Sequence, residues 1–526
     1  MNWKLLLLAA ALVGAVVAGI LLRTEHDETL ELTILHTNDL HAHYDSFEPW
    51  GEALQGGVAR LKTLVDDLRG DCDEVLFLDA GDQFQGTLYF TVGGAEVVAD
   101  VMNELGYDAM CAGNHEFDSG PAELAALIDE ADFPILGANI DASADPDLSG
   151  KIFPYALYGI EGVTVAVIGL TTEHTATASS PGENVKFLDV IATAQSTVAD
   201  LESYGGNVII ALTHLGTGRD LELARAVSGI DVIVGGHSHT LLGPGDDTAG
   251  PYPVAEMSPA GEPVLVVTAH EWGKRLGRLN VSFSAEGVVE SYAGEPIFVG
   301  ERIPENRKMV KLLDAYRPAI EALMAQIVGS TGVDLNGARE DIRVRETNLG
   351  NLICDAMLWK AQGLGATIAI QNGGGIRASI PAGDIAMGQV LEVLPYGNQL
   401  TVLTVMGEEL VAALENGVGG VEEGAGRFPH VGGMRYAFDP SSEPGSRIVS
   451  AEVWDAGSES YVELDPTATY TLATNNYLAD GGDGYNYSGA SDRYDTGWLL
   501  SDTLAEFLAE FDSVLPAVEG RITEVE

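Results

Sequence analysis

Gly113-Asn114-His115-Glu116-Phe117-Asp118 follows directly on the apolar run Asp108-Ala109-Met110-Cys111-Ala112. The run reads as a short buried strand, so side chains able to ligate a metal or move a proton leave a sheet at a single point. In an open α/β sheet that point, beyond the carboxyl ends of the strands, is where ligands bind. Taken alone, a Gly-Asn turn ahead of a helix start rich in Glu and Asp is also ordinary capping chemistry. Four other strand ends decide between the two readings.

Working outward toward the N-terminus, residues 75–78 (Val-Leu-Phe-Leu) form an apolar run ending in Asp79-Ala80-Gly81-Asp82, and residues 31–35 read as a strand ending in His36-Thr37-Asn38-Asp39-Leu40-His41. Between them Val58, Leu61, Leu64, Val65 and Leu68 recur at helical spacing, which predicts a helix over 57–68. In the other direction residues 207–212 end in Thr213-His214, and residues 230–234 end in Gly235-Gly236-His237-Ser238-His239. A helix is predicted over 95–105, with further strands over 134–138, 163–170, 264–268 and 278–283. Alternating strands and helices predict an α/β domain over residues 31–300.

At 526 residues the chain exceeds one core, and a second domain is expected. Met309, Leu312, Leu313, Tyr316, Ile320, Leu323 and Ile327 predict a connector helix over 306–328, within a linking region 301–330, with Pro318 as the point for a kink. The remainder, 331–526, carries a predicted helix over 349–361, a strand over 366–370, and the Gly-rich loops Gly373-Gly374-Gly375 and Gly481-Gly482-Asp483-Gly484.

Lys and Arg number 27 against 79 Asp and Glu, a formal charge of -52. Such a surface repels phosphate backbones and anionic headgroups, which excludes polymeric nucleic acid as a partner. An anionic small substrate then needs a local positive site built against the chain's own field. Residues 1–30 hold one Lys and then Leu5 to Leu22 without a charge, which admits two readings: a cleaved signal peptide, or an N-terminal membrane anchor. Either predicts export to a periplasmic or extracellular space. The three cysteines, Cys72, Cys111 and Cys354, have no paired spacing and predict no disulfide framework.

Asp39 and His41, two apart on an extended segment, are expected to share a face. Asp82 has two oxygens and can bridge two cations; Asn114 offers a carbonyl oxygen, and His214, His237 and His239 offer imidazoles. This mixed O and N set suits two borderline divalent ions, Zn, Mn or Co, with Mg also admissible, rather than an all-oxygen calcium cage. Two such ions polarise a phosphoryl oxygen and activate water. A leaving alkoxide then needs a proton donor, and His115, three residues before Asp118, fits that role; its alternative is a third ligand to one ion.

These motifs, with Ile34-Leu35 before the first of them and Thr240 after His239, resemble in order and spacing the calcineurin-like metallophosphoesterase half of the 5′-nucleotidase family. Thr347-Asn348-Leu349-Gly350-Asn351-Leu352, Asn372-Gly373-Gly374-Gly375-Ile376-Arg377, Leu394-Pro395-Tyr396-Gly397-Asn398 and Asn476-Tyr477 through Gly484 resemble its second half. The resemblance implies a metallophosphoesterase β-sandwich flanked by helices, a connector helix and a C-terminal α/β substrate-binding domain. It implies that Asp39, His41, Asp82 and His239 bind one metal, that Asp82, Asn114, His214 and His237 bind the other, and that His115 and Asp118 form the catalytic dyad. It further implies that Arg339, Arg343 and Arg377 hold the nucleotide, Tyr396 and Tyr477 sandwich its base, Asp483 binds ribose, and Asn372 and Asn398 make polar contacts. His239 stands where some bacterial members carry Gln, both stacking residues are Tyr where Phe is frequent, and Arg345 competes with Arg343 for the ligand. The expected activity is hydrolysis of nucleoside 5′-monophosphates. The rivals are 2′,3′-cyclic phosphodiester or UDP-sugar and dinucleotide pyrophosphate cleavage at the same site, and a nucleotide-binding receptor without turnover. Oligomeric state is not legible.

Overall fold

The apolar runs of the first half become two six-stranded sheets stacked face to face. In one, Leu30–Thr37, Val75–Asp79, Ala109–Cys111 and Ile135–Leu136 run parallel, with Arg275–Phe283 and Val289–Phe298 antiparallel at the edge. In the other, Pro263–Val267, Val232–Gly235, Val208–His214 and Val163–Thr171 run parallel between the antiparallel edges Val254–Met257 and Tyr155–Ile160. The computed structural model describes residues 29–48, 53–245, 248–284 and 286–525, so the N-terminal leader lies outside the described residues. Among the described residues no helix is long and apolar enough to cross a membrane.

Strand alternation builds the layers. Ile34, Leu76, Val167, Ile210 and Val234 meet between the sheets. Their neighbours Leu35 and Phe77 face outward under the helices Val58–Asp71 and Leu88–Leu105, and Ile209, Ala211 and Ile233 pack under Val190–Ser203 and Thr217–Ala226 on the opposite side. Both faces of each parallel strand are therefore buried, which is why these strands read as unbroken apolar runs. Parallel strands end together: Thr37 is in register with Asp79, Asp79 with Met110, and Gly235 with Thr213. All five ligand-bearing loops consequently leave the sandwich at one edge.

The connector helix is Arg307–Met324, started by Asn306, whose side chain accepts from the backbone N–H of Lys308 and Met309. It ends four residues before the predicted Val328, because Ile327–Thr331 pairs as a strand with Gly383–Ala386. Pro318 lies inside the helix.

The second half is built on a five-stranded sheet, Pro429–Gly432, Ile368–Asn372, Thr469–Asn475, Gln399–Met406 and Ser491–Leu499, beside a four-stranded one, Ser460–Glu463, Ile448–Asp455, Met434–Phe438 and Ile522–Glu524. The helix Asn348–Ala361, capped by Thr347, and the helix Leu500–Glu510 cover one face, and Gly407–Val418 covers the other. Its apolar cores are separate from those of the sandwich. The order sandwich, connector helix and α/β unit agrees with the expected fold class.

Candidate active site

Five of the seven candidate metal ligands sit in left-handed backbone: Asp39 (φ 53), His41 (φ 46), Asp82 (φ 60), His237 (φ 78) and His239 (φ 50). This corrects the expectation that Asp39 and His41 share a face by strand alternation. The strand ends at Thr37, and the chain turns sharply so that both side chains point back over the sheet edge. Each such residue costs about 1–3 kcal/mol, a strain that concentrates at functional sites. The loops also touch backbone to backbone: a Cβ on Gly81 (φ +93) would come within 2.7 Å of the Gly113 nitrogen. Only glycine lets the Asp82 and Asn114 loops lie this close.

The donors fall into two groups, Asp39, His41 and His239, and Asp82, His214 and His237, with the ligand atoms of each within 4.8 Å of one another. Asp82 stands between them, its Oδ2 3.0 Å from His214 Nε2 and 3.9 Å from His41 Nε2. Asn114 Oδ1 lies 3.1 Å from His214 Nε2. The hydrogen bonds of the opposite ring nitrogens fix the tautomers. His41 Nδ1 faces Phe84 O at 3.0 Å, His214 Nδ1 faces Ala80 O at 2.7 Å, and His239 Nδ1 faces Glu271 Oε2 at 2.7 Å. Acceptors cannot donate, so each Nδ1 carries the hydrogen and each neutral ring turns a bare Nε2 lone pair inward. His41 Nε2 and His239 Nε2 are then two lone pairs 3.4 Å apart. His214 Nε2 likewise meets a carboxylate and an amide oxygen. Converging acceptors with no hydrogen between them need cations, and this donor set fits two borderline divalent ions. With only protons to serve, burial disfavours the His214 cation, yet Asp82 and Asp39 lift it to about 9.

His115 stands at the rim of this cluster. Its Nε2 is 4.0 Å from Asp82 Oδ2, and its Nδ1 is 2.6 Å from Asp118 Oδ2. Burial opposes a charged ring, but Asp118 and Asp82 push it up to about 10. Ser179, which the sequence reading did not single out, donates to Asp118 Oδ1 at 2.5 Å and fixes the carboxylate from the other side. Glu116 also acquires a role. Its Oε2 accepts from Asp82 N (2.9 Å) and Gly113 N (2.6 Å), and its Oε1 from Gln83 N (2.7 Å) and Phe84 N (3.1 Å). Phe117 is buried edge-on against Phe187, and Cys111 is buried beneath the loop.

In the second half the structure gathers Arg339, Arg343 and Arg377. Burial and the other two guanidiniums disfavour the charged form of Arg343, a repulsion that a bound anion relieves. Arg345 is exposed and paired with Asp341. The Arg377 guanidinium lies 5.8 Å from the Tyr396 ring centre. Asp483, in left-handed backbone (φ 54), accepts from Asn372 Nδ2 at 2.8 Å and from the Tyr477 hydroxyl at 3.0 Å, and that hydroxyl accepts from Asp483 N. Asn398 borders a small hollow with Gly375, Leu394, Tyr396 and Leu500. The second half approaches the dyad at Gly497, where a Cβ would stand 3.1 Å from Asp118 Oδ2.

A two-sheet sandwich whose strand ends gather acid, amide and imidazole donors into adjoining groups defines a metal-dependent phosphoesterase. Residues 32–241 match the calcineurin-like phosphoesterase family, and residues 327–489 match the 5′-nucleotidase C-terminal domain. The chain belongs to the 5′-nucleotidase family. It is 39% identical to the snake venom 5′-nucleotidase of Gloydius brevicauda, over 94% of this chain and 89% of that one. It is 41% identical to the trifunctional nucleotide phosphoesterase protein YfkN of Bacillus subtilis, over 95% of this chain but only 35% of that longer protein. The crystal structure of a 5′-nucleotidase precursor from Thermus thermophilus superposes with a TM-score of 0.64 at 47% identity, covering 94% of this chain and 99% of that one. Membership makes the protein a metal-dependent hydrolase of nucleotides and sets aside the receptor without turnover.

Proposed function

We propose that this chain hydrolyses nucleoside 5′-monophosphates to nucleoside and inorganic phosphate. Asp39, His41, Asp82 and His239 would hold one divalent ion, and Asp82, Asn114, His214 and His237 would hold a second. The observation that carries the reading is the inward convergence of bare imidazole nitrogens, carboxylates and an amide oxygen beside the His115–Asp118 pair. When bound, a pair of divalent ions neutralises phosphoryl charge and makes water acidic enough to attack near neutral pH. His115, charged and aimed by Asp118, stabilises the charge that develops on the phosphoryl oxygens and delivers its Nε2 proton to the leaving ribose oxygen. Arg339, Arg343 and Arg377 counter the substrate's negative charge, Tyr396 and Tyr477 stack on the base, and Asp483, steadied by Asn372, binds ribose hydroxyls, with Asn398 at the edge of the base.

The domain limits that go with this reading are 31–300 for catalysis, 301–330 for the connector and 331–526 for nucleotide binding. Rotation about the connector helix brings a bound nucleotide to the metals. A disulfide locking the two domains with turnover unchanged would argue against that movement. Export is supported by the likeness to a venom enzyme. Cell fractionation that leaves the protein in the cytoplasm removes it. The likeness to a protein called a trifunctional nucleotide phosphoesterase favours a second reading, in which cyclic nucleotides or nucleotide pyrophosphates are also cleaved by the same residues. The test is phosphate release from AMP, a 2′,3′-cyclic nucleotide and UDP-glucose across added Mn, Co, Zn and Mg. AMP is expected to be hydrolysed in the presence of one of the metals and not after chelation. Cleavage of the other two esters without AMP hydrolysis would overturn the monophosphatase assignment.

A further inference from the structure

The two candidate metal positions differ in what orients their histidines. His214 turns its Nδ1 to a backbone carbonyl, Ala80 O, whereas His239 turns its Nδ1 to a carboxylate, Glu271 Oε2, at 2.7 Å. Glu271 lies 32 residues downstream, after the strand Pro263–Val267, and belongs to none of the motifs that carry the family resemblance. Its side chain is only 14% exposed, and its second oxygen is held by Lys274 Nζ at 2.6 Å. Lys274 lies 4.3 Å above the Trp272 ring, which stacks at 4.3 Å and 9° on His43. His43 Nδ1 is in turn 2.9 Å from His41 O.

The backbone of this segment is tied to both ligand loops. Trp272 N donates to Asp39 O at 2.8 Å, and His270 N donates to Thr240 O at 3.1 Å. Residues 270–274 thus wrap the Asp39, His41 and His239 group and leave the Asp82, His214 and His237 group alone. We propose that Glu271 is a positioning residue: it holds His239 in the Nδ1–H tautomer with Nε2 aimed at the first metal position, and so sets the affinity of that position. A carboxylate behind a ligating imidazole raises its basicity as well as fixing its orientation, and removing such a group typically weakens metal binding by about 10–100-fold. The rival account makes Glu271 only the partner of Lys274, with His239 nearby by accident.

The inference rests on the two-ion reading above, and the two fail differently. The measurement is calorimetric titration of metal-free protein with Mn, counting sites and their affinities, together with melting of the metal-free protein. Wild type is expected to bind two ions. In E271A one affinity falls by about 10–100-fold, the other stays, and the metal-free melting temperature hardly moves. E271Q, whose amide oxygen still accepts from Nδ1, falls between. In an H239A background, E271A has no further effect, because its route of action is gone. Two wild-type affinities in E271A, equal loss of both ions with a lowered metal-free melt, or an undiminished E271A effect in H239A each overturn the role of Glu271. Absence of Mn binding by wild type overturns the two-ion reading itself.

Discussion

Replacing Glu116 by Gln tests whether the opening motif organises the site through its backbone. Glu116 is fully buried, and its two oxygens accept four backbone N–H donors from two loops, Asp82, Gln83 and Phe84 on one and Gly113 on the other. Burial and Asp82 pull its pKa up to about 7, with His214 and the hydrogen bonds from Asp82 N and Phe84 N opposing the rise. Glutamine keeps the shape but offers one acceptor oxygen; its NH2 group must face either the Asp82 and Gly113 pair or the Gln83 and Phe84 pair. Two buried N–H groups are then left without acceptors at about 1–3 kcal/mol each, or roughly 2–6 kcal/mol in all. Against a typical net stability of about 5–15 kcal/mol that is a large loss. The assay is urea unfolding in excess chelator, which removes stabilisation by bound metal, with hydrogen exchange of peptides spanning residues 80–86 and 110–118. The midpoint should drop and both peptides should exchange faster. A stability change under about 0.5 kcal/mol with unchanged exchange would refute the four-donor account.

Three further outcomes follow from the same geometry. His115→Ala should lower phosphate release by about 100–10,000-fold while the bound-metal count holds, and full activity would remove the dyad from the mechanism. Asp231 is pushed up to about 8 by burial, against the hydrogen bond it accepts from Ile209 N. With the folded value above the unfolded one, its contribution to stability is complete below about pH 4 and is lost as pH rises through about 8, so Asp231→Asn should gain on wild type by about 1–3 kcal/mol between pH 5 and pH 9 in denaturant titrations. Parallel pH profiles for the two proteins would count against it. Tyr477→Phe removes both hydrogen bonds to Asp483 and keeps the ring; the KM for AMP should rise by about 2–10-fold with kcat held, and an unchanged KM would show that the hydroxyl does not steady Asp483.

The parallel strands of the first half were legible because strands buried on both faces leave apolar runs and end in register, whereas their stacking as a sandwich came from the family resemblance. Asp79, Cys111, His214 and Gly235 could each be placed at a strand end from sequence alone, and the structure puts them there. What failed was local conformation. Spacing suggested strand alternation for Asp39 and His41, whereas tertiary packing holds both in left-handed turns that no short pattern announces. Glu271 and Ser179 were invisible for another reason: each is a single residue brought to its partner by the fold, without a motif around it. The connector helix ended early because Ile327 found a strand partner, a pairing 59 residues away in sequence at Ala386. In the second half, the residues proposed to bind nucleotide were named only through the family resemblance, and the pairing of Arg345 with Asp341 was not legible from sequence.

A formal charge of -52 poses a difficulty for an enzyme of anionic esters, and the placement of its acids resolves it. The carboxylates of the catalytic edge are each turned toward a donor. Asp39 accepts from Asn38 Nδ2 and His237 N, Glu116 from four backbone N–H groups, Asp118 from His115 and Ser179, and Glu271 from His239 and Lys274. Their charge is spent locally on imidazoles, amides and the cations the lone pairs demand, so little of it faces an arriving phosphate. The remaining surface acids act over distances that physiological salt screens within about 8 Å. In the proposed function Arg339, Arg343 and Arg377 act at contact, where screening is weak, and the charge of Arg343 is disfavoured by burial and by the other two guanidiniums, which a bound anion would offset. On that proposal long-range repulsion and short-range capture coexist: the first keeps polyanions away from the surface, and the second would admit a mononucleotide small enough to reach the arginines.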